Sequence, residues 1–205
     1  MTNPARTAGV VAAALAGLAM ASSCLHETNV RYYTLAGGGA VARPERAQAE
    51  YTVHVAPAVV PEALDRTELV LRVSDTQVAI DDNHRWAEPL RTGVSRAVAA
   101  SLARELVGAR VSTAEPRRGQ PPDDVELTIE VQRLDVSLAD GVAVEVAWTA
   151  RWKDDGPTRT ARSIVRVPGA RRRSHDEAIA ACAAALGVVG RDVARSVRVE
   201  HLSRR

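Results

Sequence analysis

Between Val125 and Val167 apolar and polar residues alternate in three successive runs, and that pattern restricts the chain to a few folds. Val125, Leu127, Ile129 and Val131 form one apolar face, Val142, Val144, Val146 and Trp148 form the next, and Thr160 to Val167 is the third run. A period of two places alternate side chains on opposite sides of a strand, so each run has one face to bury. Asp140-Gly141 is a tight-turn pair and Asp154-Asp155-Gly156-Pro157 turns the chain again, so the three strands read as an antiparallel meander.

The rest of the chain supplies what such a sheet needs. Leu90, Val94, Val98, Leu102 and Leu106 recur every four residues, with Pro89 in the first turn and Gly108 placed to end the helix; this apolar stripe is expected to lie on a sheet. Ser174-x-x-Glu177 is a capping box that opens a second helix, with Ile179, Cys182, Leu186, Val189, Val193 and Val197 on its inner face. Tyr51 to Val59 reads as a strand with Val53 and Val55 inward, which Pro57 confines to an edge or an end. Glu68 to Val73 and Thr76 to Ile80 flank Ser74-Asp75 as a hairpin or bent strand, and Arg110 to Thr113 is a short strand before the 116–122 loop. There is no internal repeat, and Gly37 to Arg43 with Pro44 reads as linker. Phe is absent, so the core is built from Val, Leu, Ile and Ala with Trp86, Trp148 and Trp152 as its large pieces. The expected fold is a single α/β (α+β) domain: a mixed, mostly antiparallel sheet with two principal helices.

The amino terminus decides where the chain works. Arg6 precedes an apolar stretch from Val10 to Ala21 and then small residues, the three-part layout of an export signal. The stretch falls short of the roughly 20 residues a bilayer crossing takes. Ala19-Met20-Ala21 has the form of an ordinary cleavage site, which would release a soluble chain starting at Ser22. Ala21-Ser22-Ser23-Cys24 instead resembles a bacterial lipobox, with Ala21 where most have Leu, so that Cys24 becomes a lipidated first residue. A polar tether beginning His26-Glu27-Thr28-Asn29 follows, which favours the lipobox. This divides the chain into a signal peptide (1–23), a lipidated terminus with a first short strand and linker (24–50), and the α/β domain (51–205). Leu25 rather than Asp after the cysteine resembles the lipoproteins sent to the outer membrane.

The search for catalytic chemistry is negative. There is no Gly-rich phosphate loop, no G-x-S-x-G elbow and no H-E-x-x-H, so the chain is not expected to be an enzyme. With Cys24 acylated, Cys182 has no disulfide partner and reads as a small buried apolar residue. His54 reads as the outward face of a strand and His175 as a helix first turn, both solvated. Asp81-Asp82-Asn83-His84 is the one cluster with metal-like chemistry, and it reads as a solvated turn because adjacent turn residues seldom converge on one ion. No metal and no cofactor are expected beyond the acyl lipid on Cys24. Lys+Arg number 27 against 25 Asp+Glu, and aromatics are 3% of the chain, which excludes a nucleic-acid binder. Arg117-Arg118, Arg171-Arg172-Arg173 and Arg204-Arg205 read as solvated loop and tail charges, with acidic lipid headgroups as the other reading.

Three stretches carry a resemblance: RYYTL (31–35), HVAPAVVPEALDRTELVLR (54–72) and RWAEPL (85–90). With the lipobox-like Cys24 they resemble the PqiC-type family of ABC-type transport auxiliary lipoproteins, whose pattern is a Tyr-Tyr-x-Leu strand, a V-x-P-x-x-V-P-x-x-L-D-R loop and an R-W-A-E-P-L turn. The match runs by motif to about residue 107 and beyond it only by the order of elements. Arg66 is followed by Thr67-Glu68 where many relatives have Pro-Gln. Tyr33, Pro57, Pro61, Leu64, Asp65, Arg66, Arg85, Trp86 and Pro89 are the motif positions, as partner-binding or structural residues. Physical chemistry alone gives them work: Pro61 fixes the chain before Leu64, Asp65 can accept turn N–H groups, Arg66 can pair with a carboxylate, and Glu88 suits a helix N-terminus. The resemblance implies a non-enzymatic outer-membrane lipoprotein that docks a periplasmic MCE-domain protein and its inner-membrane permease, so that lipid crosses the periplasm. A symmetric partner implies a homo-oligomeric ring. The other readings are an adaptor for different envelope machinery and a soluble periplasmic lipid carrier.

Overall fold

The computed structural model describes residues 29–35, 49–115, 123–153, 156–169 and 174–203. The chain divides into Met1–Val30 and Arg31–Arg205, and the described strands and helices belong to the second unit. Cys24 and the signal segment, the 37–44 linker, and the arginines at 117–118, 171–173 and 204–205 lie outside the described residues.

The expected meander is the backbone of the fold. Strands β6 (Val125–Ser137), β7 (Gly141–Trp152) and β8 (Thr158–Pro168) pair antiparallel in sequence order. Val142, Val144, Val146, Trp148, Ala150 and Trp152 of β7 are all buried, as a strand covered on one face requires. On β6 the inward set switches from Val125, Leu127, Ile129 and Val131 to Leu134 and Val136, because the register shifts between Val131 and Arg133. An inserted residue moves every later side chain to the other face, so Asp135 and Ser137 point away from the helices.

Two further strands complete this sheet. β2 (Tyr51–Val55) lies between β5 (Ala109–Ser112) and β6, parallel to both, giving the order β5-β2-β6-β7-β8. Pro57 falls after the strand's end, as one of the two readings required. The edge reading is overturned, and with it the solvated His54: all five residues of β2 are buried, His54 at 7% exposure. A parallel strand with a neighbour on each side has both faces covered.

The remaining strands make a second sheet, β1-β4-β3, from β1 (Arg31–Tyr33), β3 (Glu68–Arg72) and β4 (Val78–Trp86). β3 and β4 form the expected hairpin, and β1 pairs parallel to the far end of β4. β4 continues through Asp81-Asp82-Asn83-His84, so that segment is strand rather than a turn, but it bulges there, the β3 register passing from Leu69↔Asp81 to Glu68↔Arg85 while β1 pairs from His84 onward. Arg72 of β3 joins the two sheets by a 2.7 Å ion pair to the buried Asp135 of β6.

Helix α1 (Leu90–Glu105) and helix α2 (His175–Ser203) cover the larger sheet. The capping box forms as read: the Ser174 N–H donates to Glu177 at 2.9 Å and the Glu177 N–H to Ser174 Oγ at 3.2 Å. All six inner-face residues of α2 are buried, and 29 residues at about 1.5 Å rise give it a length of about 44 Å. α2 lies across β7, β8 and β6. α1 packs against α2 above all, and against β5 and β2 less. Gly190 is the physical reason, since it lets α1 approach until a Cβ there would sit 2.4 Å from that of Ser101. Gly108, at φ +85°, ends the α1 segment as expected.

Candidate functional site

The motif residues meet at the joint between the small sheet and the start of α1. After β2 the chain continues beside β6, with the Ala56 N–H on the Leu127 carbonyl (3.0 Å) and the Val59 N–H on that of Ile129 (2.9 Å). Pro57 lies between these donors and has no N–H of its own. Pro61 then opens a single 3-10 turn, Glu62–Leu64, and the half-buried Leu64 packs against the core. The Asp65 carboxylate does not collect turn N–H groups; it pairs with Arg91 in the first turn of α1, which is close enough to compete. The loop is fastened to the helix twice more, by the Ala58 N–H on the Arg91 carbonyl (3.2 Å) and Ser95 Oγ on the Ala56 carbonyl (2.8 Å).

Arg66 pairs with Glu68 as expected of it, 3.2 Å from Nε to Oε2. The Glu68 carboxyl is held below the usual carboxylate range by its own backbone N–H, then by Arg66 and the Thr67 hydroxyl. Trp86 is buried at the end of β4, its N–H on the Thr67 carbonyl (2.7 Å), while the Ala87 N–H reaches the Tyr33 carbonyl (2.8 Å). Tyr33 lies opposite Trp86 in the β1–β4 register. Burial, and then the neighbouring Asp176 carboxylate, raise the Tyr33 hydroxyl above the ordinary phenol value, with Arg31 pulling the other way. Arg85 is the outlier, donating from Nε only to the Asp82 carbonyl of its own strand (3.2 Å). Pro89 precedes α1, and Glu88 pairs with Arg96 at 2.8 Å while accepting the Thr34 hydroxyl at 3.3 Å. Eight of the nine motif positions therefore hold loop, sheet and helix in one shape. None forms a nucleophile–base pair.

Apolar side chains are exposed on the hairpin beside this joint. Val78 and Ile80, two residues apart on β4, are 46% and 47% exposed, and Val73 at the turn is 54% exposed. Sequence reasoning missed this strip because β-branched alternation signals a strand without saying which face is covered. Elsewhere, two grooves of about 170 and 320 Å³ open on either side of Tyr51 and His201, whose rings stack 4.1 Å apart. They sit below or at the low end of the roughly 300–1,000 Å³ of small-ligand pockets.

The joint is a set of positioning contacts between loop, small sheet and helix in an α+β domain. The chain belongs to the family of ABC-type transport auxiliary lipoprotein components, whose model matches residues 33–194. It is thus a component of a transport system, as the motifs implied. No curated protein matches the sequence. Among solved structures it is similar to an uncharacterized protein (20% identity, TM-score 0.66, covering 82% of this chain and 99% of that one). It is also similar to a protein from Xanthomonas campestris (15% identity, TM-score 0.62, covering 85% and 98%). At these identities the likeness is one of fold. A PelC dodecamer from Paraburkholderia phytofirmans aligns at a TM-score of 0.41 and 14% identity over 72% of this chain and 89% of that one. Among the described residues no helix is long and apolar enough to cross a membrane.

Proposed function

We propose that this chain is the outer-membrane lipoprotein of a lipid transport system, held by acyl chains on Cys24 and docking a periplasmic MCE-domain protein whose permease lies in the inner membrane. The observation that carries this reading is the family match over residues 33–194, downstream of an export signal that ends in a lipobox-like cysteine. A single acyl chain holds a protein to a membrane only marginally, whereas the two or three chains of a lipoprotein hold firmly. Residues 25–30, between Cys24 and β1, are the tether on this reading, since Arg31–Tyr33 already belongs to the small sheet. Transfer needs no chemistry from this chain: it fixes one end of a path for lipid. The joint formed by Tyr33, Pro57, Pro61, Leu64, Asp65, Arg66, Trp86 and Pro89 presents the β3–β4 hairpin rigidly, and the hairpin's apolar strip is the docking surface. A ring of copies matches a symmetric partner.

Site-specific photo-crosslinking in cells tests this. A crosslinker at Ile80 should capture the MCE-domain protein, and one at Ile164, an exposed residue of β8, should not. Failure to capture any MCE-domain protein from Val73, Val78 and Ile80 together would overturn the docking surface. Capture of a peptidoglycan-synthesis protein instead would favour the adaptor reading.

A further inference from the structure

Asp81 and His84 of β4 and His175, the first residue of α2, come together although 94 residues separate Asp81 from His175. His84 Nδ1 lies 2.9 Å from one Asp81 oxygen and His175 Nε2 lies 2.9 Å from the other. The two imidazoles are parallel within 3°, their centroids 3.6 Å apart, and the Tyr33 ring stacks on His84 at 5.8 Å. The side chains are 18–23% exposed, so the cluster is walled by protein and open on one side. One donor atom from each residue falls within 4.8 Å of the other two.

We propose that Asp81, His84 and His175 form a binding site for a divalent cation of the zinc class. Two imidazole nitrogens and one carboxylate oxygen suit a borderline cation, whereas calcium and magnesium demand more oxygens. A tetrahedral zinc ion with bonds of about 2.0–2.1 Å holds its ligand atoms roughly 3.3 Å apart, so modest side-chain rotations close the three donors around it. Three protein ligands leave a fourth position to water on the open side. The carboxylate is prepared for this role: the Asn83 N–H donates to Asp81 Oδ1 at 3.1 Å and orients it. The positive end of α2 opposes a cation, and the Asp81 charge offsets that. Such an ion ties the N-terminus of the long helix to the small sheet beside the motif joint, where Tyr33 stacks on His84 and Arg85-Trp86 follow it on β4. The rival is a metal-free clamp in which both imidazoles donate to Asp81.

The test uses the full-length chain in detergent, stripped with chelator. Zinc titration by calorimetry should give one site per chain, cobalt should give the visible bands of a bound low-coordinate ion, and chelator should lower the melting temperature. His84→Gln, His175→Gln and Asp81→Asn should each weaken zinc binding by about tenfold or more, while His54→Gln and His201→Gln leave it unchanged. Circular dichroism identifies any variant that fails to fold, and the cobalt spectrum of the unaltered chain stands without them. Absence of heat and of cobalt bands at millimolar metal would establish the metal-free clamp. Zinc binding that survives His84→Gln and His175→Gln would place the ion elsewhere and overturn the site.

Discussion

At Gly190 a Cβ would meet Ser101 Cβ at 2.4 Å and the Val98 carbonyl at 3.1 Å, while three residues earlier, at Gly187, it would meet only the far end of Arg191 at 3.9 Å. Both glycines are helical, so backbone entropy favours alanine at each by about 0.5–1 kcal/mol. At Gly190 the overlap with the facing helix wins: Gly190→Ala should destabilise by about 1–3 kcal/mol, whereas Gly187→Ala should stabilise slightly. Urea unfolding of the two variants checks the opposite signs. Cys182 makes a second residue-scale prediction. It is fully buried, and burial pushes its thiol up to about 12. It should therefore resist alkylation at pH 8 in the folded chain and react once the chain is unfolded. Its burial was legible because it falls on a helical stripe. The burial of His54 was not, since a histidine on the off-face of a short alternation looks solvated until a covering element is known.

Polar contacts tie the elements together, and those made by carboxylates carry pH dependence. Asp124 fastens the start of β6 to β2: its carboxylate accepts the Thr52 N–H (2.8 Å) and the Thr52 hydroxyl (2.9 Å), and it pairs with Lys153. Burial pushes its carboxyl up, but Lys153 and the two Thr52 donors outweigh that and hold it below the usual range. A folded value below the unfolded one means the stabilisation is present above the unfolded carboxylate value, and is lost as pH falls through the folded one. Asp124→Asn should cost about 1–2 kcal/mol at pH 7 and flatten the acid side of the stability curve, measured by urea unfolding between pH 7 and 3. Between the sheets, Asp135→Ala removes the acceptor of Arg72 and should cost a similar 1–2 kcal/mol, because Arg72 is partly exposed and can be rehydrated. The antiparallel meander and the capping box were legible because their partners lie close in sequence. The parallel pairings were not: β2 meets β6 through Val53 and Val125, and no local pattern encodes a register across such a distance. The same separation concealed the convergence of His175 on Asp81, which depends on where α2 begins relative to the small sheet.

For the molecule as a whole, the fold class and family were readable from the meander, the two helices and three short motifs, while the division into two sheets was not. The motifs turn out to be a joint, which explains why residues as different as Pro61, Asp65 and Trp86 recur together in one pattern. Each fixes a neighbour of the next, through the 3-10 turn, the Arg91 pair and the Thr67 carbonyl. On the proposed reading the domain is a fixed docking station, and an acyl lipid on Cys24 would determine the membrane at which it stands. The deciding measurement is a mild-detergent pull-down of the C-terminally tagged full-length chain from native outer and inner membrane fractions, with mass spectrometry of the mature N-terminal peptide and of the captured proteins. An acylated Cys24 in the outer-membrane fraction together with an MCE-domain protein is the expected result. An unmodified chain beginning at Ser22, carrying lipid and no MCE-domain protein, would contradict it and identify a soluble carrier.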